Sequence, residues 1–166
     1  MMGPEVLGRL MDKHAPALVL YARQWCAAPE DVVQEAFIKL LAQKASPESP
    51  VSWLYRVVRN AALDALRKEQ RRRHHESVAA RETAPWFQPG EDNLLDADMV
   101  ADALTTLPAD EREIITLHLW GGLTFEQIAD VTGLSASTAH RRYLAGLTTL
   151  RERLDVPCLD TNRKKT

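Results

Sequence analysis

The sequence predicts an all-α protein made of two small helical domains joined by a flexible linker. Three observations carry that expectation. Apolar residues recur at helical spacing over long stretches on both sides of the chain's middle. The middle, around Pro85, Pro89 and Gly90, holds no sustained period. The composition, 45% hydrophobic and 27% charged over 166 residues, is globular and fits one medium domain or two small ones. The boundaries read as a first domain at 1–76, a linker at 77–93, a second domain at 94–156 and a tail at 157–166.

In chain order, Val6, Leu10, Ala17, Leu18, Tyr21 and Trp25 mark a helix over Glu5–Trp25, with Pro16 placed to divide it. Pro29, Glu30 and Asp31 suit the start of a second helix, Glu30–Gln43. Its buried face is Val33, Phe37, Leu40 and Leu41. Asp31, Gln34, Glu35 and Ile38 share the other side, an acidic and amide patch with one apolar member that suits a protein contact. Lys44–Val51 reads as a loop, with Pro47 and Pro50 against regular structure, and Ser52 is the expected cap of the third helix.

That third helix, Ser52–Arg73, has two stripes. Leu54, Val58, Ala61 and Ala65 form an apolar back, widened by Val57, Ala62 and Leu66. Arg56, Asn60, Asp64, Arg67 and Arg71 form a polar front. A lone amide among arginines fits nucleic acid, because an amide reads a base edge while arginines hold phosphates.

In the second half, Leu95, Met99, Ala103 and Leu107 share one helical face, and Pro108 opens the next helix, which Gly121-Gly122 stops. Thr124 with Gln127 is a capping box for Phe125–Thr132. Gly133 supplies the left-handed corner residue, and Ser135 caps a second helix running to about Leu154. The first turns of that helix display Ser137, Thr138, His140, Arg141 and Arg142. A helix–turn–helix with such a face is built to enter a DNA groove.

The net charge of −2 conceals segregation. Arg56–Arg73 and Arg141–Arg153 are basic, and between Glu82 and Glu113 nine carboxylates face Arg112 alone. Cys26 and Cys158 lie far apart, outside any CxxC pair, which disfavours a disulfide framework or zinc site. No nucleophile–base pair, phosphate loop or metal set is present, so no enzyme activity and no cofactor is expected. There is neither a membrane-length apolar run nor a signal pattern at Met1–Leu10, which predicts a cytoplasmic protein without membrane insertion.

These residues together resemble a family. Asp31–Phe37, followed by Trp53-Leu54-Tyr55-Arg56 and Arg59-Asn60, is similar to region 2 of bacterial RNA polymerase sigma factors of the extracytoplasmic-function group, and Leu123–Leu150 is similar to their region 4. The resemblance implies that Asp31, Gln34, Glu35 and Ile38 dock on the clamp of the largest subunit of core RNA polymerase. It implies that Trp53, Arg56, Arg59 and Asn60, with the loop Ser46–Ser49, capture and melt the −10 element, while Arg67 and Arg71 hold its phosphates. Ser137, Thr138, His140, Arg141 and Arg142 then read the −35 element of promoter DNA. An anti-sigma factor wedged between the two domains is compatible with the linker. Where this recognition helix carries Ala139, Leu144, Ala145 and Gly146, the family more often has β-branched, basic or aromatic residues. A stand-alone helix–turn–helix repressor would leave Asp31–Glu35 and Trp53–Arg73 without a role, and a homologue that only titrates an anti-sigma protein would bind without opening promoters.

Overall fold

A computed structural model describes residues 3–75 and 102–154. Helix α1 is Pro4–Ala22, α2 is Pro29–Leu41 and α3 is Pro50–His75. The second half as described opens with a helical segment, α4, at 102–105. It continues with α5 at Ala109–Ile115, which runs into a π-helical turn at Thr116–Trp120, then α6 at Phe125–Thr132 and α7 at Ala136–Leu154.

Several boundaries differ from the sequence expectation. Helix α1 passes through Pro16 undivided and ends at Ala22 rather than Trp25. Pro16 and Asp12, whose carbonyl loses its amide partner, both lie on the exposed side of the helix, where water can take that bond. Helix α2 stops at Leu41, short of Gln43. Helix α3 starts earlier than predicted, with Pro50 as its first residue. Ser52 is therefore not its cap. Ser49 is, its carbonyl accepting from Trp53 N–H at 3.0 Å and its Oγ from Ser52 N–H at 3.4 Å. In the second half, Ala103 and Leu107 are buried as expected, while Leu95 and Met99 lie outside the described residues, as do Trp86, Phe87, the linker and the tail.

The helix–turn–helix is built as its sequence demands. Thr124 and Gln127 exchange side-chain and backbone hydrogen bonds at 3.2 and 3.0 Å, and Gly133 adopts φ 78°. Ser135 Oγ accepts from Thr138 N–H at 3.2 Å. Gly146 is buried where α7 crosses α5. A Cβ there would stand 2.6 Å from Cδ1 of Ile115, so the departure from the family pattern at this position serves helix packing.

The two halves share a core. Leu18, Tyr21, Val33, Phe37, Leu54, Tyr55 and Val58 of the first half form one buried cluster with Ile114, Leu117, Leu123, Ile128 and Ala139 of the second. Helix α6 packs on α3, and the π-helical turn packs on α1. Gly121 closes that turn, its N–H bonding the Thr116 carbonyl at 3.1 Å, and a Cβ there would meet the Tyr55 ring at 3.1 Å.

Candidate nucleic-acid and polymerase interfaces

On α2, the buried stripe Val33, Ala36, Phe37 and Leu40 faces α1 and α3, so helical geometry turns Asp31, Gln34, Glu35 and Ile38 outward. All four are exposed, Ile38 at 59%. An isoleucine that open beside carboxylates has no packing role in the fold. Lys39 pairs with Glu35 at 2.9 Å, and this hydrogen bond, with the lysine's charge, holds the Glu35 carboxyl below its usual range.

On α3, burial of Leu54, Tyr55, Val58 and Ala62 aims Arg56, Asn60, Asp64, Arg67 and Arg71 into solvent along one stripe. Trp53, half-buried, rests against the core beside them. The basic end of the helix carries its own counter-charges. Arg67 pairs with Asp64 at 2.9 Å, and Glu69 takes Arg72 at 3.1 Å and Arg73 at 3.0 Å, bonds that depress the Glu69 carboxyl. Arg67, Gln70, Arg71, His74 and His75 line an open hollow there, of a chemistry suited to a sugar–phosphate backbone.

Arg59 is placed differently from its neighbours. It turns towards the second half, where its Nε donates to Oε1 of Glu113 at 2.7 Å and Nη2 to Oε2 at 3.4 Å. Tyr21 Oη donates to the same Oε1 at 2.7 Å. Burial, then the Glu113 charge, pushes the Tyr21 hydroxyl well above its ordinary pKa. The loop before α3 is also engaged, since Gln127 Nε2 donates to Ser49 Oγ at 3.1 Å.

On α7, Ser137, His140 and Arg141 are exposed, and Thr138 and Arg142 half-buried. Thr138 is tied to the cap, its Oγ1 accepting from the Ser135 hydroxyl at 2.8 Å. Arg142 pairs with Asp110 at 2.6 Å, and the His140 ring stands edge-on to Phe125 at 4.9 Å. His118 stacks on the other side of this cluster, 4.6 Å from Phe125. The helix start is thereby rigid while its outer polar atoms stay open.

The fold thus keeps the predicted residues in three groups on α2, α3 and α7, and draws Arg59 and the Ser49 end of the loop into the contact between the halves. Glu113 is the residue that sequence reading passed over. It closes the acidic run that begins at Glu82, yet it stands four residues before Leu117 and beside Ile114, inside the apolar arc of α5. A carboxylate in that arc was the available signal of a buried partner.

Residues 10–72 match the family model for sigma-70 region 2, and residues 97–150 match that for sigma-70 region 4. Over 128 residues the chain is 34% identical to RNA polymerase sigma factor SigV of Bacillus subtilis, covering 75% of this chain and 74% of SigV. It is 33% identical over 147 residues to the probable RNA polymerase sigma factor RfaY of Xanthomonas campestris pv. campestris, spanning 83% of this chain but 37% of that longer protein. Its fold is similar to that of the sigma factor RpoE from Bartonella quintana, solved in complex with the anti-sigma factor NepR. The TM-score is 0.74 at 26% identity, over 91% of this chain and 98% of that one. The chain belongs to the extracytoplasmic-function group of RNA polymerase sigma factors, non-catalytic proteins that bind core RNA polymerase and direct it to promoters through regions 2 and 4.

Proposed function

We propose a division of labour among the three faces. Asp31, Gln34, Glu35 and Ile38 dock on the clamp of the largest polymerase subunit. Trp53, Arg56, Arg59 and Asn60 take the −10 element as a melted strand, with Arg67 and Arg71 on its phosphates. Ser137, Thr138, His140, Arg141 and Arg142 read the −35 element as duplex. The observation that carries this reading is the stripe on α3, where Arg56, Asn60, Arg67 and Arg71 stay exposed along a helix whose opposite side is buried. Extruded bases need a polar reader beside an aromatic, and the tracked strand needs a basic groove. The two functional units are residues 1–76 and 94–156, and 77–93 links them.

Among the described residues no helix is long and apolar enough to cross a membrane. That supports a protein working in the cytoplasm, where its polymerase is. The likeness to a sigma factor held by an anti-sigma factor supports a similar protein partner here.

The test is co-elution of the chain with core RNA polymerase on gel filtration, followed by melting of a promoter library. Binding with melting that neither component achieves alone is the expected result. Binding without melting would point to a titrating homologue. Tight duplex binding by the chain alone, without polymerase binding, would point to a stand-alone repressor.

A further inference from the structure

Besides the shared apolar core, three contacts join the second half to the segment assigned to the −10 strand. Glu113 holds Arg59, Gln127 holds Ser49 and Gly121 abuts Tyr55. The first is the most telling. Glu113 is 7% exposed and accepts from three donors on two helices, α1 and α3. A guanidinium fork meets a carboxylate through the same geometry it uses for a phosphate. Glu113 therefore fills the place that a phosphate would take on Arg59.

The chemistry suits a contact that is made to open. A buried ion pair gives little net stability, because desolvation offsets most of the attraction, but it fixes one arrangement against others. The Tyr55 hydroxyl, buried at the same seam, finds no protein partner among the described residues. Around this pair the seam is apolar, since Leu18, Leu54 and Val58 of the first half share one buried cluster with Ile114, Leu117 and Ile128 of the second. The carboxylate is the part of the seam that a nucleic-acid strand, bringing phosphates of its own, can replace on Arg59.

We infer that Glu113 is an internal competitor of the promoter strand: it latches region 4 onto region 2 through Arg59 and Tyr21, and so suppresses DNA binding by the free chain. This rests on the reading of Arg59 as a −10 contact. A population held mostly closed lowers apparent affinity by the closed-to-open ratio, and release of the latch restores it.

The experiment uses the full chain without polymerase. Small-angle scattering reports the separation of the halves, and fluorescence anisotropy reports binding of a single-stranded thymidine oligonucleotide. Glu113→Gln keeps the shape and removes the charge, and Glu5→Gln, on the exposed start of α1, repeats the charge change away from the seam. Glu113→Gln is expected to enlarge the radius of gyration and tighten oligonucleotide binding about tenfold, with Glu5→Gln near the parent. Tyr21→Phe, which keeps the ring in the core, is expected to move both readouts the same way by about threefold in affinity, and covers the case in which Glu113→Gln folds poorly. Arg59→Gln should expand the chain without the gain in affinity. No expansion in Glu113→Gln or Tyr21→Phe would overturn the latch. Expansion with unchanged affinity would overturn the competition and count against Arg59 as a DNA contact. Equal gains in Glu113→Gln and Arg59→Gln would overturn Arg59 as the residue competed for while leaving the rest of the −10 assignment standing.

Discussion

Replacing Gly146 with alanine sets two effects of known size against each other. Alanine in a helix interior is favoured over glycine by about 1 kcal/mol. The added Cβ, however, would stand 2.6 Å from Ile115 Cδ1, and also 3.4 Å from Glu111 Cβ. The terminal methyl of an isoleucine can swing away where there is room. Ile115 is fully buried against Leu104 and Leu107, so the methyl is boxed in, and overpacking of this kind costs about 1–3 kcal/mol. The net expectation for Gly146→Ala is a loss of about 1 kcal/mol, a fall of roughly 2–4 °C in melting temperature for a chain of this size. Ile115→Val removes the colliding carbon, at its own cost of about 0.5–1.5 kcal/mol. In that background Gly146→Ala should become stabilising by about 1 kcal/mol, giving a coupling of about 2 kcal/mol, well above the ~0.5 kcal/mol expected of independent sites. Urea denaturation of the four proteins measures the cycle. Additive effects, or a Gly146→Ala variant more stable than the parent, would refute the argument that glycine is there for the α5–α7 crossing.

Asn60→Ala is expected to leave co-elution with core polymerase intact and to abolish most promoter melting, read by reactivity of unpaired thymines. The pair Asp31→Ala with Glu35→Ala is expected to do the reverse, weakening co-elution, and parental transcription by both variants would show the residue assignment to be wrong. Thr124→Ala removes a capping box and should cost about 1 kcal/mol in chemical denaturation, with Thr124→Ser restoring most of it. Alkaline titration tests the core: burial raises the Tyr21 and Tyr55 hydroxyls above their ordinary value, so the folded state binds their protons more tightly than the unfolded one. Their contribution is complete below pH about 10 and lost as pH rises beyond it, so two of the three tyrosines should ionise only as the helical circular dichroism disappears.

What could be seen in the sequence was local. The stripe Arg56, Asn60, Arg67 and Arg71 follows from the helical period alone, and the corner at Gly133 from one capping box and one glycine. Errors of boundary were local too. Ser49 and Ser52 compete as caps, and Pro50, which is at its best in the first turn, decides for Ser49. The seam between the halves could not be read in this way. Arg59 and Glu113 are separated by 54 residues, and Tyr21 and Glu113 by 92, so neither pair leaves a periodic trace. The π-helical turn at Thr116–Trp120 closes on Gly121, where a Cβ would collide first with the Leu117 carbonyl of the same turn and then meet Tyr55 across the seam.

Ion pairs also bear on how the arginines proposed as DNA contacts would meet a promoter, in a chain whose 21 basic residues are outweighed by 23 acidic ones. Of the six arginines proposed as DNA contacts, Arg59 is paired with Glu113, Arg67 with Asp64 and Arg142 with Asp110, and next to Arg71 the neighbouring Arg72 and Arg73 share Glu69. Affinity for DNA grows with the counterions that bound cations displace, and an arginine already neutralised by its own chain displaces fewer. On the proposed assignment, these pairs lower the affinity of the free protein for DNA at large. Exposed pairs such as Arg67–Asp64 are worth at most about 1 kcal/mol, so a strand positioned by polymerase exchanges them at little cost. The buried pair at Glu113 is the costlier one to break, because separating it uncovers both charges at once. The proposed contacts make promoter selectivity depend on assembly: polymerase would supply the effective concentration of strand at α3 that outcompetes the carboxylates, and without it Arg59, Arg67 and Arg142 stay paired within their own fold.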